Sequence, residues 1–189
     1  MRNWILIMLL TLASFTSCKN QKKTSNQLAS NYDNTSYVDF EIDAKYLITE
    51  VEVDGVKVGD SYKSHSKRLE KIDNKNGKEI FKRFNLLNKD DEKIGFVYIN
   101  SFDKKSINKI EITSPKYKTD KGIGVGSTFE EVKENYPNSE THGSEIEGRT
   151  TLMAGDYHFL LEGVFFNSYQ IDESKINPST KIKMITIRK

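Results

Sequence analysis

The sequence predicts an α+β fold of two degenerate turn-helix-antiparallel-meander repeats, mostly antiparallel sheet with short helices packed on it. The first observation is internal similarity. Setting "GVKVGDSYKSHSKRL" from Gly55 beneath "GIGVGSTFEEVKENY" from Gly122 pairs Gly55 with Gly122, Val58 with Val125, Gly59 with Gly126, Ser61 with Thr128 and Tyr62 with Phe129. A motif that recurs within a chain is usually architecture rather than chemistry. The second is helical spacing: Tyr62, His65 and Leu69 fall at i, i+3 and i+7, as do Phe129, Val132 and Tyr136, so each copy presents one packing stripe of a two-turn helix. The third is strand-like sequence after each helix, "IGFVYIN" and "INKIEIT" in the first copy, "YHFLLEGVFF" and "IKMITI" in the second.

Taken in order, the chain opens with "MRNWILIMLLTLASFTSC": one positive charge at Arg2, an apolar block over 4–13, then small and polar residues. This is the pattern of a secretory signal, expected over 1–17. The apolar block falls short of the roughly 18 residues a spanning helix needs. The single cysteine, Cys18, follows Phe15, Thr16 and Ser17. Residues 19–36, "KNQKKTSNQLASNYDNTS", carry almost no large apolar groups and read as a flexible tether. As a coil it spans roughly 25 Å. Disulfides are excluded within one chain, since Cys18 has no second cysteine to pair with.

Residues 37–189 are expected to form one α+β domain, with repeat 1 at about 55–113 and repeat 2 at about 122–189. In "VDFEIDA", Val38, Phe40, Ile42 and Ala44 alternate with acids, the signature of a half-buried strand, and "YLITEVEV" continues it. Asp60 or Ser61 caps the first helix; Ser127 with Glu130, or Thr128 with Glu131, forms a capping box on the second, and Pro137 ends it. "DNKNGK", "NKDDEK", "AGD" and "DESKINPST" carry turn chemistry. The core is aromatic, drawing on 10 Phe and 9 Tyr.

Charge narrows the function. The net value is +2, and removal of 1–17 takes away Arg2 and no acid, so the exported chain would be close to neutral. That gives no argument for nucleic acid as a partner. The glycines of "GIGVGST" invite a phosphate-cradling reading, but the lysine of a Walker loop is missing and the Rossmann spacing fails. His65, His142 and His158 are too scattered for a local zinc motif, and "DNKNGKE" has Lys75 and Gly77 at positions where a calcium loop needs ligands, so no metal or cofactor is expected. His65, matching Val132, is expected to pack. His158 and Glu162, four apart on one strand, are the candidate acid–base pair if the chain is an envelope hydrolase or transferase. No catalytic residue is expected on the main reading. Tyr98, Tyr157, Phe165, Phe166 and Tyr169, on or beside predicted strands, are the candidate partner-binding face, against the more common fate of strand aromatics in a core.

The residues before Cys18 resemble the lipobox of bacterial lipoproteins, although that family usually has leucine where Phe15 stands. The resemblance implies cleavage between Ser17 and Cys18, acylation of Cys18 and a membrane-lipid anchor; two or three acyl chains hold a protein firmly to a bilayer. Lys19 rather than aspartate after the cysteine, and no acidic cluster before Asp33, imply an outer-membrane site facing the periplasm. "TDKGIGVGSTFEEVKENYP" resembles a motif of small, uncharacterised bacterial lipoproteins. A glycine-bounded turn, short helix and meander in two copies is more distantly similar to the β-lactamase inhibitory protein and the small outer-membrane assembly lipoproteins. These resemblances imply a non-catalytic binding or adaptor module with an envelope protein as partner. A structural or stress-related lipoprotein without a dedicated ligand is the remaining alternative.

Overall fold

The computed structural model describes residues 42–72 and 82–188. Cys18, the signal and tether, Val38, Phe40 and the "DNKNGK" turn lie outside the described residues. Short strands come first: β1 (Leu47–Ile48), β2 (Glu52–Val53) and β3 (Val56–Lys57). There follow a 3-10 segment at Tyr62–Arg68, then β4 (Leu69–Lys71), β5 (Arg83–Leu87), β6 (Lys93–Ile99), β7 (Ile107–Ile112) and β8 (Lys118–Thr119). Helix α1 (Phe129–Asn135) leads into β9 (Glu140–His142), β10 (Arg149–Ala154), β11 (Tyr157–Phe165) and β12 (Ile182–Arg188). The architecture is α+β and mostly antiparallel, as expected.

The main sheet has eight strands in the order β4-β5-β6-β7-β12-β11-β10-β9, with every pairing antiparallel. Each half is a four-strand meander, and the two meanders join at β7 and β12. The sequence predicts two strands in each half; the short or polar-rich β4, β5, β9 and β10 complete them. Period-two alternation sorts the sheet into two faces. The inner face carries a row of direct partners across all eight strands: Leu69, Leu86, Gly95, Ile112, Ile185, Phe159, Leu152 and Thr141. From Leu86 to Thr141 this row is buried. Phe129 and Val132 of α1 and Ile48, Val53 and Val56 of the smaller sheet share the same core. That smaller sheet has the order β3-β2-β1-β8, with β1 and β8 parallel.

Three local expectations need correction. The strand expected through Ala44 is not there among the described residues: Ile42 and Asp43 are irregular and Ala44–Tyr46 is one 3-10 turn. The Asp43 carboxylate accepts the Lys45 N–H at 2.9 Å and so favours the turn over extension. "YLITEVEV" is likewise not one strand, because the Thr49 hydroxyl accepts the Glu52 N–H at 3.0 Å and folds the chain back between β1 and β2. The first helix is a 3-10 segment rather than α-helix. Ser61 makes no side-chain cap, and the Asp60 carboxylate is already taken by His65 at 2.7 Å and by the Lys57 N–H at 3.1 Å. His65 therefore serves as an anchor for Asp60 rather than as a plain packing residue.

The second helix keeps its capping box in the Thr128–Glu131 frame: Thr128 accepts the Glu131 N–H at 3.1 Å while Glu131 accepts the Thr128 N–H at 2.6 Å. Ser127 is spent inside the turn, accepting the Gly124 N–H at 3.2 Å. The next two helical amides donate to Thr180 and Pro178 carbonyls, at 2.7 and 3.1 Å. The N–H groups an anion would need are thus satisfied by the chain, which removes the phosphate-cradling reading of the glycine-rich turn.

Candidate functional site

One face of the eight-stranded sheet is the core; the other carries mostly partly and fully exposed side chains among the described residues, with Glu111 buried among them. Strand pairing places a second eight-residue row there: Glu70, Asn85, Phe96, Glu111, Thr186, His158, Met153 and Glu140. Beside it runs a shorter row of Arg83, Tyr98, Lys109 and Arg188 across β5, β6, β7 and β12.

These side chains brace one another. The Tyr98 hydroxyl donates to Glu111 Oε2 at 2.7 Å, and Lys109 Nζ donates to Glu111 Oε1 at 2.7 Å. Lys109 Nζ also lies 3.7 Å from the Tyr98 ring centre, and the Arg83 guanidinium 4.5 Å from that of Phe96. Arg83 donates to the Tyr98 hydroxyl at 3.3 Å. Glu111 is only 7% exposed yet keeps both a cation and a phenol on its carboxylate, which offsets the cost of burying its charge. Burial, then the Glu111 hydrogen bond and charge, raise the Tyr98 phenol above its ordinary pKa against the opposing pull of Arg83, so Tyr98 remains a donor at neutral pH.

Next to this cluster a groove of about 250 Å³ is lined by Lys109, Glu111, Arg149, His158, Thr186 and Arg188, among others. Burial and the charge of Arg188 lower the pKa of His158, opposed by Asp156, which leaves the imidazole neutral at pH 7. Glu162 is exposed and is not among the residues lining this groove, so the candidate acid–base pair is not gathered around one cavity. A larger cavity of about 640 Å³ opens elsewhere, between the β1–β2 turn, the end of α1 and the β10–β11 turn, with Glu50, Asp120, Tyr136 and Tyr157 on its walls. No group of three or more potential metal ligands occurs among the described residues, and none of their helices is long and apolar enough to cross a membrane.

The five aromatics expected to share a binding face are divided. Tyr157 is a core residue, 4% exposed, and its hydroxyl donates to the Ile48 carbonyl at 3.1 Å. It points inward because it alternates in phase with Phe159 and Leu161. Phe166 is half-buried against the core. Tyr98 does lie on the open face. Phe165 and Tyr169 are exposed, at 74% and 57%, beyond the groove; Tyr169 stacks on His142 with ring centres 4.2 Å apart. Arg83, Phe96, Lys109, Glu111 and Arg188 were missed in the sequence, although the alternation of "IGFVYIN" and "INKIEIT" already puts Phe96 with Tyr98 and Lys109 with Glu111.

No protein-family model matches the chain. No curated protein matches it either. Among solved structures, the chain is similar to that of the uncharacterized protein yfeY from Escherichia coli, at 13% identity and a TM-score of 0.49, over 75% of this chain and 99% of that one.

Proposed function

We propose that this protein is a lipid-anchored envelope protein, facing the periplasm from the outer membrane, that works without catalysis by presenting the open face of its sheet to another envelope component. The observation that carries the binding half is that face: eight strands wide, left without a covering layer among the described residues, and set with braced polar and aromatic side chains. The anchor half rests on Cys18 at the end of the signal-like segment. Tethering would raise the local concentration of the face near the membrane.

The anchor is tested by Cys18→Ala: palmitate incorporation is expected to vanish and the protein to leave the membrane fraction. A variant that still pellets with outer membrane removes the anchor. The face is tested in intact envelopes with a photo-crosslinking residue at Met184, on the open side of β12. A discrete protein adduct is expected there and not from Lys63, which lies off the sheet. The same adduct from both positions, or from neither, sinks the proposal.

We also propose that the fold arose from two copies of one unit. Matching hydrogen bonds support this. Gly59 N–H donates to Ile107 O at 2.7 Å as Gly126 N–H does to Ile182 O at 2.8 Å, and Ile107 and Ile182 return bonds to Asp60 and Ser127 at 2.8 and 2.7 Å. Gly59 and Gly126 share positive φ, 102° and 91°, with open space where a Cβ would go. Gly59→Ala and Gly126→Ala are each expected to lose about 1–2 kcal/mol from left-handed strain alone. Denaturant melts giving a loss at one glycine and none at the other would count against equivalent joints.

A further inference from the structure

We propose that the Arg83–Tyr98–Lys109–Arg188 row, with the groove beside it, docks an extended acidic segment of a partner protein. The proposal rests on the reading of the open face as a binding surface and gives that surface its chemistry.

Of the three cations in the row, only Lys109 has a carboxylate partner among the described residues, and that partner, Glu111, is buried beneath it. Arg83 and Arg188 have none. Arg149 enters the groove from the far side, paired with an exposed Glu147 at 3.3 Å. The row itself therefore carries an excess of positive charge, with the exposed acids Glu70 and Glu140 at the outer strands of the same face, while the whole chain is close to neutral.

Two of these cations, Arg83 and Lys109, are also held in place before anything binds. The Arg83 guanidinium lies against Phe96 and hydrogen-bonds Tyr98, and Lys109 is fixed between Tyr98 and Glu111. Ordering these long side chains would otherwise cost about 0.5–1.5 kcal/mol each on binding. A stacked guanidinium keeps its N–H edge free, and that edge matches a carboxylate with two parallel hydrogen bonds.

Spacing favours a peptide. Neighbouring strands are about 4.8 Å apart, so Arg83 on β5 and Arg188 on β12 are roughly 14 Å apart across the sheet. An extended chain repeats its side chains on one face every roughly 7 Å, so carboxylates at i and i+4 would reach the two arginines, with i+2 between Tyr98 and Lys109. The adjoining recess, walled by Ser144, Glu147 and Arg149 on one side and Arg188 on the other, admits a chain; a flat bilayer surface does not reach into it.

The test uses the full lipidated chain in nonionic detergent micelles and a fluorescein-labelled hexaglutamate peptide, followed by fluorescence anisotropy at low salt. Saturable binding is expected, weakened at least tenfold by Arg83→Glu with Arg188→Glu. Lys63→Glu with Lys67→Glu makes the same charge change off the sheet and is expected to leave it within twofold. Arg83→Gln with Arg188→Gln serves if the glutamate pair does not fold. Absence of saturable binding, or equal weakening by both pairs, overturns the proposal. So does binding to phosphatidylglycerol vesicles that depends on both arginines while hexaglutamate is ignored. A Met184 cross-link in envelopes that survives the arginine replacements would overturn the acidic chemistry and leave the binding face standing.

Discussion

Replacing Gly95 with alanine is expected to lower stability by about 3 kcal/mol, the upper end of the range for overpacking a core with one methyl group. Gly95 sits in β6, flanked on its two sides by Leu86 and Ile112. A Cβ there would overlap the Glu111 carbonyl oxygen, 2.9 Å from its carbonyl carbon and 3.0 Å from Ile112 Cα. All three are backbone atoms of the neighbouring strand, so no rotamer change relieves the overlap; β6 and β7 must separate. In an unstrained strand interior glycine-to-alanine would instead help by roughly 0.5–1 kcal/mol. The comparison is Gly163→Ala, where φ is +67° with nothing within 4 Å, and where left-handed strain of about 1–2 kcal/mol is the whole expected loss. Urea melts that place Gly95→Ala at or above the stability of Gly163→Ala would refute the close approach of β6 and β7.

The same glycine illustrates what was legible in the sequence. "IGFVYIN" reads as a strand from its alternation, and β6 is there. That Gly95 is needed because Glu111 approaches it cannot be read locally, since the approaching atoms lie 16 positions away in the chain. Register had the same limit. The alternation places Phe96 with Tyr98, and Lys109 with Glu111, on one side of their strands, but only the pairing of β6 with β7 brings the four together. Tyr157 fails for a related reason. Its strand was recognised, but the inward side is set by the core beneath, and the side holding Tyr157, Phe159 and Leu161 is the more apolar one. The first helix reads well by periodicity and forms only 3-10 structure, because Asp60, one of its two available caps, is bound to His65. Local chemistry named the elements; contacts distant in sequence decided which of their faces is exposed.

Phe159→Ala is expected to be the most destabilising truncation, at about 3–5 kcal/mol, the range for a phenylalanine removed from a closed core. Phe159 is fully buried, paired with Ile185 on β12 and Leu152 on β10, both also fully buried. Its ring lies 5.9 Å from that of Tyr157 and 5.7 Å from that of Tyr136, which follows α1. The side chain therefore joins three strands to the helix, and its loss leaves a cavity with walls on two layers that cannot close by moving one of them. For a domain of about 150 residues this corresponds to a fall in Tm of roughly 6–20 °C. Tyr136 gives a second readout: burial, ahead of its other influences, pushes its phenol up to about 12, and Phe159 is part of what surrounds it. In the alanine variant water entering the cavity would bring that value back toward 10, the ordinary phenol value. NMR of ring-labelled tyrosine, with the Tyr136 signal assigned by its loss in Tyr136→Phe, separates this titration from those of the other tyrosines. Phe159→Leu, which keeps most of the volume, is expected to lose less than half as much stability and to leave the Tyr136 titration near its original position. A Phe159→Ala protein that melts within 2 °C of the parent, with the Tyr136 titration unmoved, would place Phe159 outside the core and break the link between α1 and the sheet.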